Sequence, residues 1–123
     1  MKELTKAEEQ IMQVLWQIER GVIKDVLEQL PTPKPAYNTV STIVRILETK
    51  GFVSHKAYGK THEYFPIVEK DVYMKFMMKT MVHGYFGGSF KKLVSFFVDE
   101  KNVSMEDLDE ILKHIKQPEK EQK

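Results

Sequence analysis

The sequence predicts a mainly α protein with a small β-hairpin, built as a winged helix-turn-helix domain plus a C-terminal helical dimerisation module. The first observation is a helical apolar stripe within residues 37–51, made by Val40, Ile43, Val44 and Leu47. The second is the strand, glycine turn and strand pattern of residues 52–65, with basic residues near its tip. A helix followed by a basic hairpin is the order of a winged helix, in which the helix enters a DNA groove.

The elements before this helix fit the same order. Thr5 and Glu8 have the spacing of a capping box, so the first helix is expected to begin there and Gly21 to end it. Val22 and Ile23 are expected to form a very short strand, followed by a second helix over residues 24–30.

The third helix follows a proline-rich connection. Prolines at 31, 33 and 35 fix φ and lack an N–H, which forces this connection to be extended. Asn38 is the expected N-cap of the helix, because its side-chain oxygen can accept from a free N–H of the first turn. Gly51 is expected to end it by adopting positive φ.

Helical patterns return in the C-terminal half. One helix is expected from Asp71 until glycines at 84, 87 and 88 break it, and Ser89 is expected to cap a second helix through Phe97. Ser104, with Asp107 three residues later, is expected to begin the last. We expect a DNA-binding domain over 1–67, a helical domain over 68–116 and a disordered tail over 117–123.

The C-terminal helices are too apolar to stand alone in water. They follow the winged domain without enough sequence for a large separate core, so burial against a second copy is expected. The residues assigned to this dimerisation surface are Met77, Met81, Phe86, Phe90, Leu93, Val94, Phe97, Leu108, Ile111, Leu112 and Ile115.

Charge is distributed unevenly, although the formal net charge is only +1. Residues 34–60 carry five basic side chains against Glu48 alone, whereas residues 99–110 carry six acidic ones against Lys101 alone. This asymmetry predicts that the middle of the chain faces a polyanion.

Several function classes are disfavoured by composition. The chain has no cysteine, which excludes disulfides, thiolate metal sites and cysteine nucleophiles. The four histidines are scattered, and the methionines between 74 and 81, although thioethers can bind Cu(I), have the spacing of a buried helix face. We therefore expect no enzyme, cofactor or metal. No signal peptide or membrane-length apolar run is evident, so a cytoplasmic protein without direct membrane association is expected.

The candidate DNA contacts lie on the third helix and the hairpin. Small hydroxyl and Arg side chains can approach base edges closely. The expected base contacts are Thr39, Ser41, Thr42 and Arg45. The expected phosphate contacts are Lys34, Tyr37, Lys56, Lys60 and Thr61, and Asn38 and Lys50 complete the set. The alternatives are an ordinary polar helix surface, a solvated turn, and an Arg45 that pairs with Glu48 or Glu28.

The chain resembles the BlaI/MecI family of bacterial penicillinase repressors. The resemblance rests on Leu-Thr-Lys-Ala-Glu at 4–8 with Val-Leu-Trp at 14–16, and on Tyr-Asn-Thr-Val-Ser-Thr at 37–42 with Arg-Ile-Leu at 45–47. Lys-Gly-Phe-Val at 50–53, the wing sequence at 59–64 and Leu-Val at 93–94 add to it. It extends over nearly the whole chain, to about residue 115.

The resemblance implies a homodimeric repressor of TACA/TGTA-type inverted repeats, linked to antibiotic resistance. It also implies induction by a membrane-bound sensor, a β-lactam-sensing metalloprotease, that leads to cleavage of an Asn-Phe bond in the dimerisation domain. Ser95 stands where the family has asparagine, so the possible cleavage site Ser95–Phe96 departs from the pattern. Copper-responsive relatives carry C-terminal cysteine motifs, which this chain lacks.

The chief alternative function is a winged-helix protein–protein adaptor whose hairpin and helix bind a partner protein. The basic segment from 34 to 60 argues against it. Salt-sensitive binding to DNA would exclude it.

Overall fold

A computed structural model describes residues 1–100 and 104–116, except the side chains of residues 115 and 116. Its elements are six helices and two strands in the order α1 (Lys6–Ile18), α2 (Ile23–Gln29), α3 (Tyr37–Thr49), β1 (Val53–Tyr58), β2 (Thr61–Pro66), α4 (Lys70–Phe86), α5 (Phe90–Asp99) and α6 (Met105–Lys116). This is the predicted fold class: mainly helical, with one antiparallel hairpin. The tail at 117–123 lies outside the described residues.

The predicted capping box of α1 is confirmed. The Thr5 hydroxyl accepts from the Glu8 N–H at 3.2 Å, and the Glu8 carboxylate accepts from the Thr5 N–H at 2.9 Å. The prediction that Gly21 ends α1 is wrong, because the helix already stops at Ile18 and Glu19 takes positive φ.

Gly21 instead joins the N-terminal helices to the hairpin. Its N–H donates to the Tyr64 carbonyl at 2.9 Å and its carbonyl accepts from the Tyr64 N–H at 2.8 Å. A Cβ at this position would lie 2.8 Å from Ile18 Cδ1, so a larger residue would require the Ile18 side chain to shift. The predicted strand at 22–23 is wrong in its residues, since the bridge forms at Gly21 and Ile23 already begins α2.

Helix α3 begins two residues earlier than predicted. Its N-cap is Ala36, which is extended after Pro35 and whose carbonyl accepts from the Val40 N–H at 3.1 Å. Asn38 is therefore inside the first turn, and its predicted role as N-cap is wrong. Gly51 has φ of +83°, and the Phe52 N–H beyond it donates to the Leu47 carbonyl, so the predicted glycine stop is confirmed.

The hairpin of β1 and β2 is the wing. Its tight turn includes Gly59 at positive φ, and the register pairs His55 with Tyr64 and Ala57 with His62. Because alternate residues share a face of a strand, these four side chains lie on one side of the hairpin.

In the C-terminal half, α4 runs through Gly84, so the predicted break at that glycine is wrong. The helix ends at Phe86, before Gly87 and Gly88, which both have positive φ. Ser89 caps α5 through the Lys92 N–H, as predicted, although α5 continues two residues past Phe97. Ser104 and Asp107 cap α6 reciprocally, also as predicted.

The chain forms two compact units, Met1–Met77 and Met78–Lys123, whereas the sequence placed the boundary after residue 67. The first unit includes the start of α4 because Tyr73 is buried in its core. The Tyr73 hydroxyl accepts from the Leu4 N–H at 2.9 Å, and its ring packs edge-on against Phe52. Trp16 donates to the Val68 carbonyl at 2.9 Å.

The second unit buries little of its apolar surface. Among its described side chains only Val82 and Leu93 are buried. Of the expected dimerisation residues, those half-buried in the chain are Met77, Met81, Phe86, Val94 and Leu108, and those exposed are Phe90, Phe97, Ile111 and Leu112. Met77 packs against the core of the first unit. The side chain of Ile115 lies outside the described part.

Candidate nucleic-acid interface

Helix α3 has one buried face and one polar, exposed face. Val40, Val44 and Leu47 are fully buried in the core of the first unit. The opposite side carries the expected DNA contacts Asn38, Thr39, Thr42 and Arg45, all exposed, with Ser41 half-buried beside them. The structure thus presents the five polar residues of the expected helix set together on a single element.

Arg45 lies where α3 meets the wing, next to the buried ring of Tyr64. Burial raises the pKa of Tyr64 and the charge of Glu48 adds to this, while a hydrogen bond and the positive charge from Arg45 oppose it. The Arg45 guanidinium is therefore held between Tyr64 and solvent. Glu48 is an acidic neighbour in this cluster.

A second contact joins α3 to the wing on the same side. The Glu48 carboxylate lies 2.5 Å from Nδ1 of His55, a residue of β1. The His55 ring stacks on His62 of β2, with ring centroids 4.1 Å apart and planes 11° from parallel. Tyr64 completes this ring cluster, its centroid 5.6 Å from that of His55. These contacts fix the wing relative to α3.

The outer part of the wing carries the expected phosphate contacts. Lys56, Lys60 and Thr61 are all exposed, and the Lys56 ammonium lies 5.4 Å from the centroid of the Tyr58 ring. Tyr37, at the start of α3, is 53% exposed, which leaves its hydroxyl accessible to a ligand.

Two lysines of the expected DNA-binding set are bound inside the first unit. The Lys34 ammonium donates to the carbonyls of Leu27, Glu28 and Leu30 at 2.7–3.1 Å, so it caps the end of α2. The Lys50 ammonium lies 2.7 and 2.9 Å from the two oxygens of Glu8. Both lysines therefore have partners within the first unit, and their contact with DNA stays a prediction.

The contact between Glu8 and Lys50 is a largely buried ion pair. Burial alone would raise the pKa of the Glu8 carboxyl, but hydrogen bonds from Lys50 and Thr5 and the charge of Lys50 outweigh burial and lower it. The pair links the first turn of α1 to the last turn of α3 and so holds the recognition helix on the domain.

Lys2 is a candidate contact that sequence reasoning missed. It lines a shallow groove of about 420 Å³ with Thr42, Arg45, Ile46, Thr49 and Lys50 along the exposed side of α3. Buried Leu4, tied to Tyr73, anchors this N-terminal segment. No local pattern predicts the approach, because 40 residues separate Lys2 from Thr42.

Other kinds of site find no support in the described part of the chain. No group of three or more histidine, aspartate or glutamate residues there could hold a metal ion. None of the described helices has the length and apolar character needed to cross a membrane.

Comparisons with known proteins show which family this chain resembles. The family model described as "Penicillinase repressor" matches residues 4–117. The methicillin resistance regulatory protein MecI of Staphylococcus aureus is 24% identical over 110 residues, covering 89% of this chain and 89% of that protein. The penicillinase repressor of Bacillus licheniformis is 22% identical over 110 residues, covering 89% of this chain and 86% of that protein. The CopR repressor structure covers 55% of this chain and all of its own, with a TM-score of 0.46 and 25% identity.

Proposed function

The chain belongs to the penicillinase repressor family of bacterial transcriptional repressors, and from this premise we propose that it represses transcription as a homodimer bound to an inverted-repeat operator. The observation that carries the proposal is the two-sided character of α3. One side is fully buried at Val40, Val44 and Leu47, and the other exposes hydroxyls and a guanidinium next to a basic wing.

Each protomer places α3 in the major groove of one half-site. Arg45 is the expected contact to a guanine edge, because its two-pronged donor group matches the O6 and N7 acceptors. Thr39, Ser41 and Thr42 make the shorter contacts to neighbouring bases, and Asn38 lies at the same end of the helix.

Phosphate contacts flank this helix on both sides. The wing supplies Lys56, Lys60 and Thr61, Tyr37 supplies a hydroxyl at the start of α3, and Lys2 adds a cation along the groove beside Arg45. Such contacts set the position of the protein on DNA without selecting its sequence.

The second unit supplies the dimer. Its exposed apolar side chains include Tyr85 at 84%, Phe90 at 61% and Phe96 at 50% exposure, and large exposed apolar side chains grouped in one unit are typical of an interaction surface. A second copy covers them and places two recognition helices on one face of the DNA, about one helical turn apart. Repression follows because the bound dimer excludes polymerase from the promoter.

Release by a sensor-linked signal or by proteolysis is part of the proposal. Ser95 and Phe96, the possible cleavage site, are both exposed but lie in the middle of α5. A protease that binds extended chain therefore has to unwind α5 before it can cut this bond. Cleavage there would divide the dimerisation surface and separate the two half-site contacts.

The test is binding to DNA from the region upstream of the protein's own gene, at two salt concentrations, against a scrambled duplex of equal length. We expect a dimer to bind an inverted repeat far more tightly than the scrambled duplex, with affinity that falls as salt rises. Equal and weak binding to both duplexes would contradict the proposal and favour a protein–protein adaptor with the same fold.

A further inference from the structure

The ring cluster between α3 and the wing contains two side chains that the proposed DNA contacts do not use. His55 and His62 stack face to face at 4.1 Å, and His55 also lies 2.5 Å from the Glu48 carboxylate. His55 is half-buried, whereas His62 is exposed near the turn of the wing. Histidine is the side chain whose charge changes most readily near neutral pH, so this pair can respond to protons.

The charges around the pair limit how many protons it holds. Glu48 provides one negative charge, which compensates one imidazolium at His55. His62, whose ring centroid is 4.1 Å from that of His55, shares this one carboxylate. The free protein thus has a compensating charge for one proton and none for another.

The other ionisable groups facing the pair do not change this balance. From α3, Arg45 adds a positive charge and Tyr37 faces the same cluster, while Tyr64 of β2 has its pKa raised chiefly by burial and stays neutral. Arg20 and Glu63 pair with each other at 3.6 Å, and the strand register places Glu63 on the opposite face of the hairpin. Glu48 is the anion in contact with the pair.

Operator DNA supplies the missing negative charge. His62 lies beside Tyr64, with ring centroids 6.2 Å apart, and Tyr64 is hydrogen-bonded to Arg45, a proposed DNA contact of α3. The backbone of DNA bound to α3 and the wing is therefore within reach of exposed His62. We propose that operator binding is linked to protonation of the His55–His62 pair, with about one proton taken up per wing as DNA docks. This inference rests on the proposed function, since it requires the wing to face DNA.

The direction of the pH dependence follows from this linkage. The imidazolium gains a partner in the complex, so its contribution is present at acidic pH and lost as the pH rises through the neutral range. Uptake of one proton changes the dissociation constant by at most about tenfold per pH unit. We expect the operator affinity per wing to be about three- to tenfold higher at pH 6 than at pH 8.

The experiment measures affinity at pH 6, 7 and 8 and constant ionic strength, on a duplex selected for binding from a random library by the full-length protein. Calorimetry in buffers of different ionisation enthalpy gives the number of protons taken up. His62→Gln keeps a polar side chain but cannot be charged, so we expect it to lose most of the pH dependence. His114→Gln, an exposed histidine on α6, is the matched control and should keep the wild-type profile.

Glu48→Gln tests whether the carboxylate sets the charge of the pair. It retains an acceptor for His55 and removes the charge, so we expect its pH profile to move to lower pH with the fold intact by circular dichroism. If Glu48→Gln changes the operator affinity but not its dependence on pH, Glu48 is only a structural contact, and its part of the inference is overturned.

The outcomes separate the inference from the function on which it rests. Specific binding with the same affinity from pH 6 to pH 8 and no proton uptake would overturn the proton linkage and leave the repressor proposal intact. A pH dependence that survives in His62→Gln would also overturn it. Failure to select any duplex would remove both proposals together.

Discussion

The two units of this chain differ in how they use apolar side chains. In the first unit, the side chains of Met12, Leu15 and Val26 are fully buried, at 0% exposure, and so are the inner residues of α3. In the described part of the second unit, Tyr85 is 84% and Phe90 61% exposed. The first unit therefore contains its own core. The second carries a surface that burial by another molecule would stabilise, since apolar area exposed to water is unfavourable.

The strongest test of the core of the first unit is Leu47→Ala, in the buried face of α3. Leu47 has no exposure, so its truncation leaves a cavity and should destabilise the first unit by about 2–5 kcal/mol. Ile46→Ala, on the same helix but 42% exposed, is the control and should cost less than about 1 kcal/mol. Chemical denaturation measures both. Similar losses for the two variants would mean that α3 does not have the buried and exposed faces described.

Phe96→Asp tests the exposed apolar surface of the second unit. Phe96 is 50% exposed and contacts Phe86 and Phe97, so a charge there should separate the protomers without unfolding the first unit. Losing the second half-site should weaken operator binding by roughly a hundredfold or more, because the linked contacts act through effective concentration. Sedimentation equilibrium and DNA titration measure the two effects.

The control for this substitution is Ile67→Asp, which puts the same charge at a 53%-exposed apolar residue of the first unit. It should remain a dimer. If Phe96→Asp also remains a dimer and keeps its operator affinity, the exposed face of α5 is not part of the dimer interface.

Because of the Glu8–Lys50 ion pair, we expect the stability of the first unit alone to depend on pH. The pKa of Glu8 is lowered in the folded protein, so its stabilising contribution is present at neutral pH and lost as the pH falls through that lowered value. Lys50→Met leaves the carboxylate without its cation and should destabilise the fold by about 1–3 kcal/mol at pH 7. The deficit should shrink as the pH falls and the carboxyl becomes protonated. Lys24→Met, at an exposed lysine of α2, should show no such pattern.

Arg45→Ala separates base contact from phosphate contact in the recognition helix. We expect a loss of about 1–3 kcal/mol in operator binding and a flatter preference among operator variants, since a guanine contact is removed. Arg20→Ala, on the opposite face of the hairpin and paired with Glu63, should leave operator preference unchanged. Equal weakening on every duplex would reassign Arg45 to phosphate.

The sequence predicted the fold class and the identity of every helix because these rest on local signals. The capping boxes at Thr5 and Ser104 and the stop at Gly51 involve residues three or four apart, and each is confirmed. Gly21 was misassigned because its role is a contact with Tyr64, 43 residues further along the chain. Asn38 was misassigned because Pro35 and Ala36 set the start of α3 instead.

The partners of the candidate site residues were harder to predict for the same reason. The sequence grouped lysines by charge, but Lys34 and Lys50 have partners that local spacing does not reveal, one on the carbonyls of α2 and the other on Glu8. Conversely, the approach of Lys2 to α3 depends on packing between distant segments, and the contact between Glu48 and His55 depends on how β1 folds back beside the end of α3. Which lysine charges remain available to DNA is thus a property of the folded unit.

Lys60→Ala is the mildest test of the contrast between the two units, since it asks which of them faces the polyanion. Lys60 lies in the exposed turn of the wing, so its removal should weaken binding to all duplexes about equally and make the salt dependence shallower by about one unit. Lys70→Ala, an exposed lysine at the start of α4, is the control and should leave the slope unchanged. Titrations at four or more salt concentrations give the slopes. An equal effect of both variants would mean that the protein attracts DNA through its overall charge, whereas an effect of Lys60 alone places the phosphate backbone at the tip of the wing.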